Sequence, residues 1–230
     1  MKIFAISDLH LSSTTNKPMQ IFGSGWDDYL VKIEASWREL VGDDDVVLVS
    51  GDISWAMKLQ GALPDLDFLG NLPGKKIIIR GNHDYWWQSY KKVCDALPKN
   101  VFAIQNNAVK IGNTVFCGTR GWMISEGKSE SESKKIFDRE FLRLGLTLEA
   151  AKKLQEVGDR LVVMLHYPPY EHHGASTAYT DLIAENNANA VVFGHIHGKY
   201  SRYLKKFEKN GIPYYLTSCD VLGHKLVEIG

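Results

Sequence analysis

The chain has little cysteine, no surplus of charge and no long apolar run, and each shortage removes a class of protein. Only three cysteines occur in 230 residues, Cys94, Cys117 and Cys219, with no Cys-x-x-Cys pair. That argues against a disulfide framework and a thiolate-bound zinc, and it suits a reducing compartment. Lys plus Arg and Asp plus Glu both number 27, for a formal net charge of zero. Long nucleic acid, which is gripped through many phosphates by a basic surplus, is therefore not the expected partner, although local basic patches stay open. No stretch approaches the ~20 apolar residues of a membrane span. The opening apolar run, 3–6, is too short for a signal-peptide core, so a cytoplasmic location is expected. A Gly-x-x-x-x-Gly-Lys-Ser/Thr phosphate loop is also missing, which argues against an NTP-driven machine. So is the compact His-x-His-x-Asp-His run of metallo-β-lactamase-type hydrolases.

What is present is enough apolar residue, 44%, to bury a full core, and a single domain over 1–230 is the natural reading. Runs rich in β-branched and aromatic residues predict strands at 3–6, 46–49, 76–79, 101–104, 109–111, 114–117, 161–165 and 190–193. The same pattern recurs at 200–207, 213–217 and 225–229. Helical periodicity marks 27–40, 63–69, 86–97, 134–142, 147–157 and 176–186, with Thr147 as a helix start and Thr180 as a weaker one. The first half alternates strand and helix, whereas 101–118 and 200–229 read as antiparallel meanders. The sum is an α/β protein with two packed mixed β-sheets flanked by helices. Residues 123–157 would form a helical cap inserted between strands. The polar stretch 125–135 reads as a solvated loop leading into a helix.

Five strand ends carry metal-type ligands. Asp8-Leu9-His10 follows the first strand, and side chains two apart on extended backbone face the same way. Gly51-Asp52 follows the second strand, Gly81-Asn82-His83-Asp84 the third, His166 closes the strand at 161–165, and Gly194-His195-Ile196-His197 follows 190–193. Alone, an Asp-x-His or a Gly-Asp is more often an ordinary loop. Five such ends on one sheet edge, where ligands gather in open α/β sheets, are not. The inventory is two carboxylates, one carboxamide and four imidazoles, with His83 left over. Oxygen and imidazole donors without thiolate suit Mn, Fe or Zn. Two divalent ions with Asp8 and Asp52 would leave a net charge of about +2, which attracts phosphate.

This ordered set, spanning residues 8 to 197, resembles the calcineurin-like metallophosphoesterase superfamily, in its bacterial phosphohydrolase form. The resemblance implies a four-layer α/β/β/α sandwich. It implies one metal on Asp8, His10 and His197, a second on Asn82, His166 and His195, and Asp52 bridging the two. A bridging hydroxide would attack a phosphomonoester or small phosphodiester. His83 would protonate the leaving group or steady the phosphoryl, and Asp84 would orient its neighbours. The chain departs from the pattern at Trp55, where many members carry an acidic residue that orients the catalytic histidine. Either Asp84 or a backbone carbonyl then orients His83, or His83 acts by hydrogen bonding to phosphate. Arg120, Trp122 and His172 are candidate substrate contacts, whereas Tyr85, Trp86 and Trp87 read as core packing. The rival reading is a binding or scaffold protein on the same fold without turnover, and the complete ligand set argues against it.

Overall fold

Strands buried on both faces read as unbroken apolar runs, because each side of the ribbon must meet another layer. In the computed structural model, which describes residues 1–123, 129–171, 174–198 and 204–230, that is how the strands are used. A first sheet has the order β11-β1-β2-β3-β4, from β1 (Ile3–Ile6), β2 (Val46–Val49), β3 (Lys75–Ile78), β4 (Val101–Ala103) and β11 (Val227–Glu228). Strands β1 to β4 run parallel and β11 antiparallel to β1. A second sheet has the order β5-β6-β7-β8-β10-β9, from β5 (Ala108–Ile111), β6 (Thr114–Thr119), β7 (Arg160–Leu165), β8 (Ala190–Phe193), β9 (Lys206–Lys209) and β10 (Ile212–Leu216). Strands β6, β7, β8 and β10 are parallel, with antiparallel β5 and β9 at the edges.

Alternation along each strand sorts side chains into three cores. Ile3, Ala5, Leu48 and Ile77 face Phe116, Val162, Met164 and Val192 across the seam between the sheets. Phe4, Ile6, Val47 and Val49 point the other way, onto Ile33 and Trp37 of α1 (Tyr29–Leu40), Leu66 and Leu69 of α2 (Leu59–Asn71) and Val93 of α3 (Tyr90–Ala96). Val163, Leu165, Val191 and Phe193 meet Leu144, Leu148 and Ala151 of α4 (Glu130–Leu154) and Tyr179 and Ile183 of α5 (Ala178–Glu185). The result is the four-layer α/β/β/α sandwich.

Four expectations need correction. The two helices at 134–142 and 147–157 are one, α4. Thr147 does not start a helix: its buried hydroxyl donates to the Asn107 carbonyl at 2.5 Å and accepts from Gly118 N at 3.1 Å, so it works inward from mid-helix. The N-cap is Ser129, whose hydroxyl accepts from Glu132 N. Residues 101–118 are not one antiparallel meander either. β4 pairs parallel with β3, and the chain then crosses to the other sheet before β5. At α5 the cap is Thr177, locked in a reciprocal box with Thr180. The strand expected at 200–207 falls partly on residues outside the described ones, and β9 begins at Lys206. Of the segment 123–157, the described helix packs onto the outer face of the second sheet.

Lys76 is fully buried in β3, and its ammonium donates to the carbonyls of Leu72 (2.5 Å) and Gly74 (2.9 Å), just past the end of α2. A cation suits that helix terminus, yet burial pushes the Lys76 pKa down from 10.5 to about 8. With the native pKa below the unfolded one, this stability term is complete above pH 10.5 and is lost as the pH falls through about 8. Urea unfolding of the wild type and Lys76→Met across that interval should show the wild type gaining on the variant as pH rises. A difference that stays constant with pH would show that the lysine is not titrating in the core.

Candidate metal centre

The loops leaving β1 and β2 run side by side and hold each other. Asp8 N donates to the Gly51 carbonyl (3.0 Å), His10 N to that of Asp52 (3.0 Å), Leu11 N to that of Ile53 (2.8 Å), and Trp55 N to that of Leu11 (2.9 Å). Four of the candidate ligands take a left-handed backbone: Asp8 (φ 57°), His10 (48°), Asp52 (51°) and His195 (70°). Such a conformation costs a non-glycine residue of order 1–3 kcal/mol and persists only where its surroundings over-determine it. It turns these side chains off the strand axis toward one point. Two glycines make the approach feasible. A Cβ on Gly81 would collide with the Asp52 carboxylate and amide, and one on Gly194 would lie 2.5 Å from Asp8 Oδ2.

All seven sequence-predicted ligands come together. Ligand atoms of Asp8, His10 and His197 lie within 4.8 Å of one another, and so do those of Asp8, Asp52 and His166. His166 Nε2 is 2.5 Å, and His195 Nδ1 3.0 Å, from Asn82 Oδ1. Asp52 Oδ2 stands between the two groups, 3.9 Å from His10 Nε2 and 3.5 Å from His166 Nε2. His166 is oriented by its other nitrogen, 2.9 Å from the Ser50 carbonyl. His10 Nδ1 is buried without a hydrogen-bond partner among the described residues.

The electrostatics suit cations. Burial, then the negative charges of Asp8 and Asp84, holds the Asp52 carboxyl well above the usual carboxylate range. Burial pushes His166 down to about 3 and lowers His10 as well, helped there by His197 and His83. These imidazoles are thus kept neutral, the form that binds metal, beside carboxylates short of positive charge. His197 differs: burial opposes its charge, but the hydrogen bond to Asp220 and the charge of Asp8 outweigh that and raise its pKa.

Asp220 was not singled out by sequence reasoning. Its Oδ1 is 3.0 Å from His197 Nδ1 and its Oδ2 accepts from Gly198 N at 2.8 Å, the carboxylate–histidine pairing that orients metal-binding imidazoles. It follows β10, so the signal available was a carboxylate at a sixth strand end, with no motif around it.

His83 enters through its backbone, which donates to Asp52 Oδ1 at 2.7 Å. Its half-buried ring lies 4.6 Å from Trp55 and 5.7 Å from His10, and Trp55 in turn stacks on His10 at 4.6 Å and 20°. Asp84 does not reach the His83 ring. It accepts from Ile53 N, Ser54 N, Gly81 N and Trp86 Nε1, all at 2.8–3.1 Å, and so ties the second and third loops together. Of the substrate candidates, Arg120 pairs with buried Glu140 at 3.4 Å. Trp122 is buried, donates to Ser133 Oγ and packs on Tyr167, which in turn packs on His195. His172 lies outside the described residues. Trp86 and Trp87 are core, and Tyr85 is exposed.

A family model described as calcineurin-like phosphoesterase matches residues 1–199. The Gene 66 protein of Mycobacterium phage L5 is 31% identical over 191 residues, 83% of this chain and 75% of the phage protein. The Gene 66 protein of phage D29 is 37% identical over 86 residues, covering 36% and 40% of the two chains. Among solved structures, TT1561 of Thermus thermophilus aligns with a TM-score of 0.61 at 13% identity, covering 99% and 97% of the chains. A protein of unknown function from Aquifex aeolicus, AQ665, aligns at 0.50 and 12%, covering 99% and 95%. At such identities these two speak for the fold. No helix among the described residues is long and apolar enough to cross a membrane.

Asp84→Asn would turn the acceptor facing Gly81 N or its partners into a donor. Leaving one buried group unsatisfied costs about 1–3 kcal/mol, or a fall in melting temperature of several degrees for a chain of this size, on the order of 2–4 °C per kcal/mol. Calorimetry returning an unchanged melting temperature would remove Asp84 from this role.

Proposed function

The chain belongs to the calcineurin-like phosphoesterase family, and on that footing we propose that it is a metal-dependent enzyme hydrolysing a phosphomonoester or a small phosphodiester. The observation that carries this reading is the buried Asp52 Oδ2, within 4 Å of imidazoles from two separate donor groups. Asp8, His10 and His197 would hold one cation, Asn82, His166 and His195 a second, and Asp52 would serve both. Mn, Fe or Zn fits these oxygen and imidazole donors. Divalent cations there supply Lewis acidity, polarising the phosphoryl oxygens and making water acidic enough to attack at neutral pH.

The chain's own groups do the rest. A cavity of about 430 Å³ opens beside the ligands, lined by His83, His10, His197 and Asp220 together with Met19, Phe22, Trp26 and Trp55. The reacting phosphate belongs against the imidazoles, and the apolar side chains among them receive the ester's organic group and keep water from it. Burial, and then the charge of His195, lowers the His83 pKa, and Trp55 supplies no carboxylate to raise it. A neutral imidazole donates a hydrogen bond to a phosphoryl or leaving oxygen more readily than it gives up a proton. His83 is therefore assigned to that hydrogen bond, with the flat Trp55 ring setting its tilt.

Hydrolysis of p-nitrophenyl phosphate or bis(p-nitrophenyl) phosphate should vanish on exhaustive chelation and return with added Mn, Fe or Zn. Full activity after chelation would sink the proposal. Asp52→Asn should lower kcat by roughly two orders of magnitude or more, the scale of losing a charge-stabilising group, along with bound metal.

His83→Ala should lower kcat about ten- to a hundred-fold, the range of one hydrogen bond to a charged group, at unchanged metal content by atomic absorption. Loss of metal in this variant would mean that His83 is a ligand.

A further inference from the structure

A second polar cavity, of about 150 Å³, lies behind the ligand loops and shares no residue with the cavity beside the metal centre. Four guanidiniums line it, from Arg80, Arg120, Arg139 and Arg143, against the single carboxylate of Glu140, with the Trp87 ring forming part of the wall. Glu140 is completely buried. Its Oε1 accepts from Arg143 Nη1 (2.8 Å), Arg139 Nη2 (3.2 Å) and Arg120 Nη2 (3.4 Å), while Oε2 accepts from Thr119 Oγ1 (2.9 Å).

That carboxylate is saturated, and with the charge of Asp84, which also acts on Arg80, it still leaves the four guanidiniums in excess, Arg139 and Arg143 being partly exposed to solvent. The Arg80 side chain makes no hydrogen bond or ion pair among the described residues, and the Nε atoms of both Arg80 and Arg120 are buried without partners. A cluster built only to satisfy Glu140 would need neither Arg80 nor a cavity. Buried guanidinium N–H groups without acceptors are costly, and their planar forks match the oxygens of phosphate or carboxylate. The small volume and the surplus charge call for a compact anion carrying more than one negative charge.

We propose that this cavity binds a small, multiply charged oxyanion of the phosphate type. The site is wired to the metal centre through the backbone. Arg80 immediately precedes Gly81-Asn82, and the Arg120 carbonyl accepts from the amides of His166 (3.1 Å) and Tyr167 (2.9 Å). An anion held by Arg80 and Arg120 thus stiffens the two segments that carry Asn82 and His166. The inference does not depend on turnover of phosphoesters, because the cavity contains none of the candidate metal ligands.

Calorimetric titration of the full-length, metal-loaded protein with inorganic phosphate at constant ionic strength tests it, with Arg80→Gln, Arg143→Gln and Asp52→Asn in parallel. Phosphate should bind roughly ten- to a hundred-fold more weakly to each arginine variant, as expected for one lost hydrogen bond to a charged group. Metal content should stay unchanged in those two variants, and Asp52→Asn should keep the arginine-dependent binding. Should Arg80→Gln fail to fold, Arg143→Gln carries the test, since that side chain is 38% exposed. Glycerol phosphate separates the two sources of the anion. Binding as tight as that of phosphate identifies the phosphate end of an ester, and binding of phosphate alone identifies the free ion. The proposal is overturned if the wild type binds no phosphate, or if binding is lost in Asp52→Asn and intact in both arginine variants.

Discussion

Three carboxylates, Asp8, Asp52 and Asp84, are buried together where the strand ends of the two sheets meet, and their mutual repulsion has to be answered. Each is answered differently. Asp84 takes four N–H donors and is spent on structure. Asp8 takes the Ser7 hydroxyl at 2.5 Å and the His195 amide at 3.1 Å, while its Oδ1 stands 3.6 Å from His197 Nε2, too far for a full hydrogen bond. Asp52 accepts one backbone donor on Oδ1 among the described residues, and its Oδ2 faces the His10 and His166 imidazoles, which burial keeps neutral. The charge deficit is therefore concentrated on the oxygens that point at the imidazole cluster. A site with that imbalance selects cations by physics before any chemistry is asked of it.

The same constraint explains the backbone. Bringing carboxylates within reach of imidazoles from the other sheet requires the chain to turn sharply on leaving each strand, hence the left-handed conformations at Asp8, His10, Asp52 and His195. Strain of this kind survives because strands on both sides are locked into fully buried layers. Asp8 and His195 are 187 residues apart, so the centre exists only when both sheets are complete. Trp55 fits this logic. Its ring packs on His10 and His83 and so adds no fourth carboxylate to a pocket already short of positive charge.

Much of this was legible in the sequence because it is written in short-range terms. Strand β1, β2 and β8 limits, and the ligands just past them, follow from apolar runs that stop at Ser7, Ser50 and Gly194. What was not legible depends on distant partners. The hydroxyl of Thr147 looks like a cap until Asn107 and Gly118 are known to lie beneath it. The turn between β4 and β5 gives no sign that the chain changes sheets there. Asp220 carries no motif, and its pairing with His197 arises from β10 lying beside β8. Glu140, in the middle of a helix rich in charge, is indistinguishable by pattern from its solvated neighbours, yet it is the one that is buried.

That last residue changes what the charge balance means. Equal numbers of acidic and basic side chains suggest an electrostatically featureless protein, but the charges are separated by the fold. Asp8 and Asp52, past β1 and β2, gather among the imidazoles, whereas Arg80 and Arg120, past β3 and β6, gather with Arg139 and Arg143 around a separate cavity. Two poles of opposite sign, one residue apart at Arg80 and Gly81, attract each other through a low-dielectric interior and hold the ligand loops in tension between them. A cation bound at one pole weakens that attraction and leaves the guanidiniums less compensated, which favours an anion at the other. Net charge, the quantity a sequence reports most easily, is here the sum of two terms whose separation is what the site depends on.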